Sequence, residues 1–239
     1  MSLFASMRRR RLSVEQRLER AERLHTLSAA RLSLKTSVEA ALTRYASGRA
    51  LEAGAGRSPY GSLLKTLASD VTTLDIDTSR GRVDIVADVQ DMPMVPSSAF
   101  DTVVCTQVLE HIPRPTDAMR EISRVLRPGG VLILSAPHLS MVHEAPTDFY
   151  RYTRYGLTYL SEQAGLEVLS VEAAGGLVTF LLHTVSIGLI TTIGSLPLLF
   201  WPTWLVNYLL FVRLGLLLDR LIGLPSLFGR DHVIVARKP

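Results

Sequence analysis

Three short apolar runs in the first half of the chain each end on an acid: "RALE" at Glu52, "VTTLD" at Asp75 and "VDIVAD" at Asp88. Runs of this length with helical patterns between them predict βαβ units and a parallel sheet. A parallel sheet lines up the C-terminal ends of its strands along one edge, and ligands bind there at the topological switch point. The alternation extends over residues 47 to about 175. It continues through "FDTVVCTQVLEHI" (100–112), read as strand, loop and the beginning of a helix. "DAMREISRVLRPGGVLILSAP" (117–137) then reads as an amphipathic helix, a proline–glycine turn and an apolar strand. Glu52, Asp75, Asp88 and Thr106 are expected to gather on one edge.

The first run passes into "LEAGAGRSPYG" (51–61), with glycines at 54, 56 and 61, ahead of a helical pattern at 60–69. Glycine gives up more conformational entropy than any other residue, so a cluster marks a sharp turn or a close backbone approach to a ligand. The helix N-terminus behind it offers free N–H groups and a positive dipole end to a nucleotide-like ligand. Asp75 falls 19 residues after Gly56, the spacing at which a second-strand carboxylate accepts from a ribose diol.

"LEAGAG", "LDID", "ADVQDMP", "FDTVVCTQVLEHI" and "RVLRPGGVLILSAP" stand in the order and spacing of the class I S-adenosylmethionine-dependent methyltransferases. The chain resembles most the type 11 group of small-molecule enzymes, over roughly residues 45–170 and the terminal strand at 231–237. The resemblance implies an α/β fold with a Rossmann-like, seven-stranded, mostly parallel sheet and helices on both faces. It also implies a methyltransferase with S-adenosyl-L-methionine as cofactor. In it, Glu52 and the backbone of Gly54 and Gly56 would hold the methionine portion. Asp75 would bind the two ribose hydroxyls, with Ile76 beside the adenine. Asp88 would accept from the adenine amino group, with the Val89 amide near the ring. Thr106 and Gln107 would lie near the sulfonium and its methyl. The chain departs from the family at Arg57, Ser58 and Pro59: Ser58 still supplies a hydroxyl, whereas Pro59 removes an N–H donor.

Methyl transfer from a sulfonium asks the protein mainly to align acceptor, methyl carbon and sulfur and to exclude water. An oxygen acceptor also needs a general base. "HLSMVHEAPTDFYRYTRYGL" (138–157) follows the fifth strand, where the family builds the acceptor side. His143 is the expected catalytic base, because imidazole titrates near neutrality. In the plainer reading, "DFYRYT" caps the next helix and Asp148 and Arg151 form a local ion pair. Glu110 and His111 suit either the cofactor lining or ordinary packing. With only His138 and His143 as further donors, no metal site is expected. Asp77 reads as a helix N-cap, and Cys105, the one cysteine of the chain, as a small buried hydrophobe.

The flanks are of another kind. Residues 1–50 hold eleven basic residues against four acidic ones, and the remainder 15 against 18. Residues 1–46 are read as a basic N-terminal helical segment. Residues 47–239 are read as the methyltransferase domain, interrupted at 177–228 by a hydrophobic helical insert between strands 6 and 7. Residues 177–200 carry no formal charge over 24 positions, and about 20 apolar residues suffice to cross a bilayer. The next stretch is broken by Arg213, Asp219 and Arg220. These charges fall broadly on one helical face, as in an interfacial helix, and Arg213 would be costly at a bilayer centre. Strands 6 and 7 are neighbours in the resembled fold, so a single crossing is excluded. A membrane-dipping hairpin is expected, with two full spans, or a hydrophobic cap or dimer interface, as alternatives. Gly188, Gly194, Pro197, Gly215, Gly223 and Pro225 fit a broken path. Trp201, Trp204 and Tyr208 suit an interfacial belt.

The Arg8–Arg11 run suits anionic headgroups. Nucleic acid fits less well, since the patch lacks interleaved aromatics. No apolar signal core precedes the basic run, and a single cysteine excludes a disulfide framework. The sequence therefore predicts a methyltransferase with a small or lipid-linked acceptor on the cytoplasmic side of a membrane, with a soluble cytoplasmic setting as alternative. The competing function is a non-catalytic, methyltransferase-like membrane scaffold or sensor.

Overall fold

The computed structural model describes residues 13, 14, 18, 24–194, 196, 198–222 and 228–239. The chain divides into two compact units, Ser37–Glu172 with Asp231–Pro239, and Met1–Thr36 with Ala173–Arg230. The elements in chain order are helix α1 (Ala29–Tyr45), strand β1 (Arg49–Ala53), α2 (Gly61–Leu67), β2 (Asp70–Asp75), β3 (Ile85–Val86), β4 (Phe100–Thr106), α3 (Pro115–Val125), β5 (Leu126–Pro137), α4 (Arg154–Gln163), β6 (Glu167–Ala174), α5 (Leu177–Thr192), α6 (Phe200–Val206), α7 (Leu214–Ile222) and β7 (Asp231–Arg237).

The seven strands form one sheet in the order β3-β2-β1-β4-β5-β7-β6. The pairs from β3 to β5 are parallel, and β7 runs antiparallel to β5. The central strands β4 and β5 are buried almost throughout, as parallel strands covered on both faces must be. Pro115 opens α3, where its missing N–H costs nothing. The same helix buries Ala118, Met119, Ile122 and Val125, an i, i+4, i+7 stripe that joins the cluster around Leu109, Leu132 and Ile234. Each fully buried aliphatic side chain there contributes roughly 1.5–3 kcal/mol.

Three local expectations change. The run at 83–93 forms only the two-residue β3. Asp88 turns the chain instead, with its Oδ1 accepting from the Gln90 N–H at 2.9 Å. "RPGG" does not leave the sheet as a turn: residues 127–130 stay within β5. There the Gly129 N–H donates to Lys238 O at 2.8 Å and the Lys238 N–H to Gly130 O at 2.9 Å, so the C-terminal tail extends the ladder. The helix expected to begin within 100–112 is a single 3-10 turn, Leu109–His111.

The other unit is helical. Val14, Leu18, Leu27, Ile187, Ile190 and Phe200 form its core. A π-helical stretch, Asn207–Arg213, joins α6 to α7 and turns Asn207 fully inward. Ser186 Oγ donates to Asn207 Oδ1 at 2.6 Å, and Asn207 Nδ2 donates to Leu27 O at 3.0 Å. The 24-residue apolar run does not form one long helix, because α5 stops at Thr192 after 16 residues. Among the described residues no helix is long and apolar enough to cross a membrane. Asp219 corrects the interfacial-face reading. It is buried and accepts from the N–H groups of Gly176, Val178 and Thr179, each at 2.9 Å. It thereby caps α5 with a charge matched to the helix dipole. Arg213 and Arg220 remain exposed. So do Leu181, Leu198, Leu209, Leu217 and Leu221. Arg8–Arg11, Pro197, Gly223 and Pro225 lie outside the described residues.

Candidate functional site

The acids that end the strands arrive where the chain order places them. Glu52 is the penultimate residue of β1 and is buried. The following loop turns on Gly54, whose φ of +71° and crowding by Val108 exclude a side chain. Gly56 also has positive φ, +53°, but faces open space. Its N–H donates to Asp75 Oδ2 at 2.7 Å, while Asp75 Oδ1 accepts from the Asp77 N–H at 2.8 Å. The Asp75 carboxylate thus locks the glycine loop to the end of β2 with one lone pair on each oxygen, leaving the others for a ligand. Ile76 beside it is 68% exposed, an apolar side chain standing open next to an acid.

Among the described residues Glu52 accepts one side-chain hydrogen bond, from the Ser58 hydroxyl on its Oε2. Burial pushes the Glu52 carboxyl upward, opposed by that hydroxyl and by Lys65. Asp77 caps the 3-10 turn Thr78–Arg80, accepting from the Ser79 N–H at 2.8 Å. Asp88 accepts from Gln90 Nε2 at 2.9 Å, and Val89 packs into the core. The chain beyond is fixed by Glu121, which accepts from the Met92 N–H, and by Arg124, which donates to Met92 O, each at 2.8 Å. Thr106 is the last residue of β4. Gln107 follows at φ +55°, a conformation costing about 1–3 kcal/mol. It is held there by its N–H to Ser135 O at 2.9 Å and its Nε2 to Ser135 Oγ at 3.3 Å.

The loop after β5 is stitched to the turn after β4. The N–H groups of Phe149 and Tyr150 donate to Glu110 O at 2.9 and 3.3 Å, and the Tyr152 hydroxyl donates to Leu109 O at 3.1 Å. Thr153 caps α4, accepting from the Gly156 N–H at 3.1 Å, and Arg151 grips Asp148 at 2.6 and 2.8 Å. "DFYRYT" therefore does cap the helix and pin the loop. The Arg151 guanidinium holds the Asp148 carboxyl far below the usual carboxylate range.

His143 adjoins that ion pair, its Nδ1 3.6 Å from Asp148 Oδ2 and 3.5 Å from Arg151 Nη2. Its N–H donates to Asp148 Oδ2 at 2.7 Å, and its Nε2 lies 3.8 Å from Glu110 Oε1, as does the Nε2 of His111. The two imidazoles meet edge to face at 4.9 Å. The facing Glu110 carboxylate raises the His143 pKa, with burial opposing it. Glu110 is fully buried, and neither of its carboxylate oxygens has a hydrogen-bond partner among the described residues. Sequence reading missed Ser58 as the partner of Glu52, Ser135 as the anchor of Gln107 and the convergence of Glu110, His111 and His143. Glu110 and His143 stand 33 residues apart, and no local spacing signals that they meet. Cys105 is buried, as expected, and burial pushes its thiol up to about 12.

Residues 51–134 match the family model described as a methyltransferase domain. The ubiquinone biosynthesis O-methyltransferase of Xanthomonas oryzae pv. oryzae, strain PXO99A, is 34% identical over 125 residues, covering 47% of this chain and 51% of that protein. Its namesake in Xanthomonas campestris pv. campestris, strain B100, is 30% identical over 125 residues with the same coverage. The chain spans about half the length of the curated relatives it matches. In fold it is similar to the [4+2]-cyclase SpnF, at a TM-score of 0.59 and 20% identity over 87% of this chain and 81% of that one. It is also similar to a SAM-dependent methyltransferase from Archaeoglobus fulgidus, at 0.55 and 19% over 85% and 94%.

Proposed function

We propose, from the premise that this chain carries a class I S-adenosylmethionine-dependent methyltransferase domain, that it methylates a hydroxyl of an amphiphilic acceptor at a membrane surface. The observation that carries the methyl-transfer reading is Glu52, a buried acid with a lone hydroxyl donor beside a glycine loop locked to Asp75. A buried carboxylate so sparsely partnered is stabilised by a cationic donor, and the α-ammonium of S-adenosylmethionine is one. The residues fit the rest of that molecule as well. Asp75 keeps free lone pairs for the ribose diol, exposed Ile76 offers an apolar surface to adenine, and the open space over Gly56 admits the ligand. Asp88 and the Val89 amide complete the adenine side, and Thr106 and Gln107 the sulfonium side.

When bound, S-adenosylmethionine supplies an activated methyl on a sulfonium. The chain's own task is to align the acceptor oxygen behind that carbon, exclude water and take up the hydroxyl proton. His143 is the residue proposed to meet the acceptor. Its side chain is 35% exposed, against 0% for Glu110 behind it. A hydroxyl acceptor accords with the relatives' name as O-methyltransferases. An amphiphilic one accords with the exposed leucines of the helical unit, such as Leu198 at 92% and Leu221 at 74%, apolar side chains that a membrane surface would cover.

Calorimetric titration with S-adenosylhomocysteine tests the first part, with micromolar binding expected and Asp75→Ala abolishing it. Flotation with vesicles of phosphatidylcholine and phosphatidylglycerol tests the second. Wild-type protein is expected to float and Leu198→Asp/Leu221→Asp to stay behind. Equal flotation of the two, or none, would remove the membrane part while leaving the methyl-transfer part intact.

A further inference from the structure

We propose that the helical unit is solvated by lipid: its helices lie in the hydrocarbon of one leaflet of an anionic bilayer, polar groups turned inward and leucines turned to the acyl chains. Embedding goes beyond contact with a membrane surface. It rests on the membrane part of the proposed function and is independent of methyl transfer. The unit lies outside residues 51–134, which match the family model, so that likeness does not extend to it.

Which residues face inward decides this. From Phe200 to Ile222, α6, the π-helical stretch and α7 follow one another directly. Thr203, Asn207, Gly215 and Asp219, spaced by multiples of four residues, are buried. Trp201, Leu205, Leu209, Leu217 and Leu221, at the same spacing, are exposed. A helix on the surface of a water-soluble unit turns its apolar stripe to the core and its polar stripe to solvent. Here the stripes are exchanged. α5 follows in part: Thr179, Ser186 and Thr191 are buried beside Ile187 and Ile190, whereas Leu181 and Val185 are exposed.

Acyl chains form no hydrogen bonds, so helices in lipid must satisfy their polar groups on one another. The Ser186–Asn207–Leu27 bonds do this between segments far apart in sequence. Trp204 Nε1 donates to Thr26 Oγ1 at 2.9 Å, and Thr191 Oγ1 to Ile187 O at 2.5 Å. The three N–H groups on Asp219 complete the set; the Thr179 hydroxyl has no hydrogen bond among the described residues. A Cβ on Gly215 would stand 3.1 Å from Leu182 Cδ1. Close approach through small residues is how helices pack where burial of apolar surface gives no drive.

Charge selects the lipid. Residues 177–222 contain one acid, Asp219, which is buried and spent on the start of α5. The exposed charges of that stretch are Arg213 and Arg220. Anionic headgroups complement them, and an arginine stem reaches headgroup level from the acyl chains. Trp201, Trp204 and Tyr208 touch in series, with ring centroids 5.7 and 5.6 Å apart, amphipathic rings of the kind that anchor a protein at headgroup depth. α5 has 16 residues, roughly 24 Å of helix against a hydrocarbon core of ~30 Å. The unit therefore enters one leaflet without crossing.

The test reconstitutes the full chain into vesicles of phosphatidylcholine and phosphatidylglycerol, with a nitroxide on Leu181→Cys or on Leu209→Cys, one for each helical segment. Both positions are exposed, and Cys105, the one native cysteine, is buried and takes no label. Both nitroxides are expected to collide with dissolved oxygen at least about 10-fold more often than with a water-soluble nickel complex, which hydrocarbon excludes. Flotation of the unlabelled chain should persist in about 1 M NaCl, where the Debye length is only about 3 Å. A chain that floats but is released by salt, or whose labels meet the nickel complex as readily as oxygen, overturns embedding and leaves the membrane-surface reading standing. A chain that does not float overturns both, and light scattering that then finds a dimer assigns the exposed leucines to a second copy. S-adenosylhomocysteine binding by the same preparation reports on methyl transfer separately.

Discussion

Two of the buried acids of this molecule are treated in opposite ways. Asp219, in the helical unit, receives three backbone N–H groups at 2.9 Å. Glu110, in the sheet unit, receives none on its carboxylate. Both residues are buried, and what distinguishes them is satisfaction. A carboxylate whose lone pairs are spent on the chain itself is part of the structure. One whose lone pairs are left open, facing two imidazoles, keeps a desolvation cost that the described residues do not offset with a hydrogen bond. The cofactor edge falls between these extremes: Asp75 has spent one lone pair per oxygen on the chain, and Glu52 one lone pair on Ser58.

Removing each acid is the most direct way to break the comparison. Asp219→Ala leaves three N–H groups at the start of α5 without their acceptor and removes a charge matched to the dipole. The urea-unfolding free energy should fall by about 3 kcal/mol, with Asp219→Asn recovering part of it. A loss below 1 kcal/mol would mean that solvent replaces the cap and that Asp219 is not structural.

His232 extends the comparison to a base. It is buried in β7, its Nδ1 has no hydrogen-bond partner among the described residues, and burial foremost, with His138 and Arg154, lowers its pKa to about 4. Below the ordinary histidine value the unfolded chain binds a proton that the folded chain refuses. Stability should therefore fall as pH drops from about 6.5 towards 4, by roughly 2 kcal/mol more in wild type than in His232→Asn. Parallel pH profiles would show that the imidazole is not held neutral.

Glu110→Gln should have the smallest effect on folding. It exchanges a buried carboxyl that has no hydrogen bond among the described residues for an amide of the same shape, so stability should stay within about 1 kcal/mol or rise. A loss of 3 kcal/mol would make Glu110 structural like Asp219 and dissolve the contrast.

The sequence carried the sheet and its acidic strand ends because both are written in local pattern. Apolar runs of five to seven residues ending in Glu52, Asp75 and Thr106 need only their own neighbours to be read. Asp219 was legible as an interruption of an apolar helix, but its partners lie about 40 residues away across a helix–helix contact, and hydropathy does not record who receives a hydrogen bond. The 24-residue uncharged run suggested a length that α5 does not reach, since hydropathy says nothing of where a helix stops. Glu110 and His143 were each visible as candidates. Their convergence depends on the docking of the loop 138–153 onto the turn at 109–111, a tertiary event that main-chain bonds to Glu110 O and Leu109 O create.

The central claim is that the glycine loop and the acids of β1 and β2 are built to hold S-adenosylmethionine. Calorimetric titration of the purified full chain with S-adenosylhomocysteine, beside Asp75→Ala, tests it most directly. The account predicts one site of micromolar affinity, weakened at least about 100-fold in the variant, with both proteins folded by circular dichroism. A folded wild-type chain that binds no S-adenosylhomocysteine, or a variant that binds it as well as wild type, would contradict it.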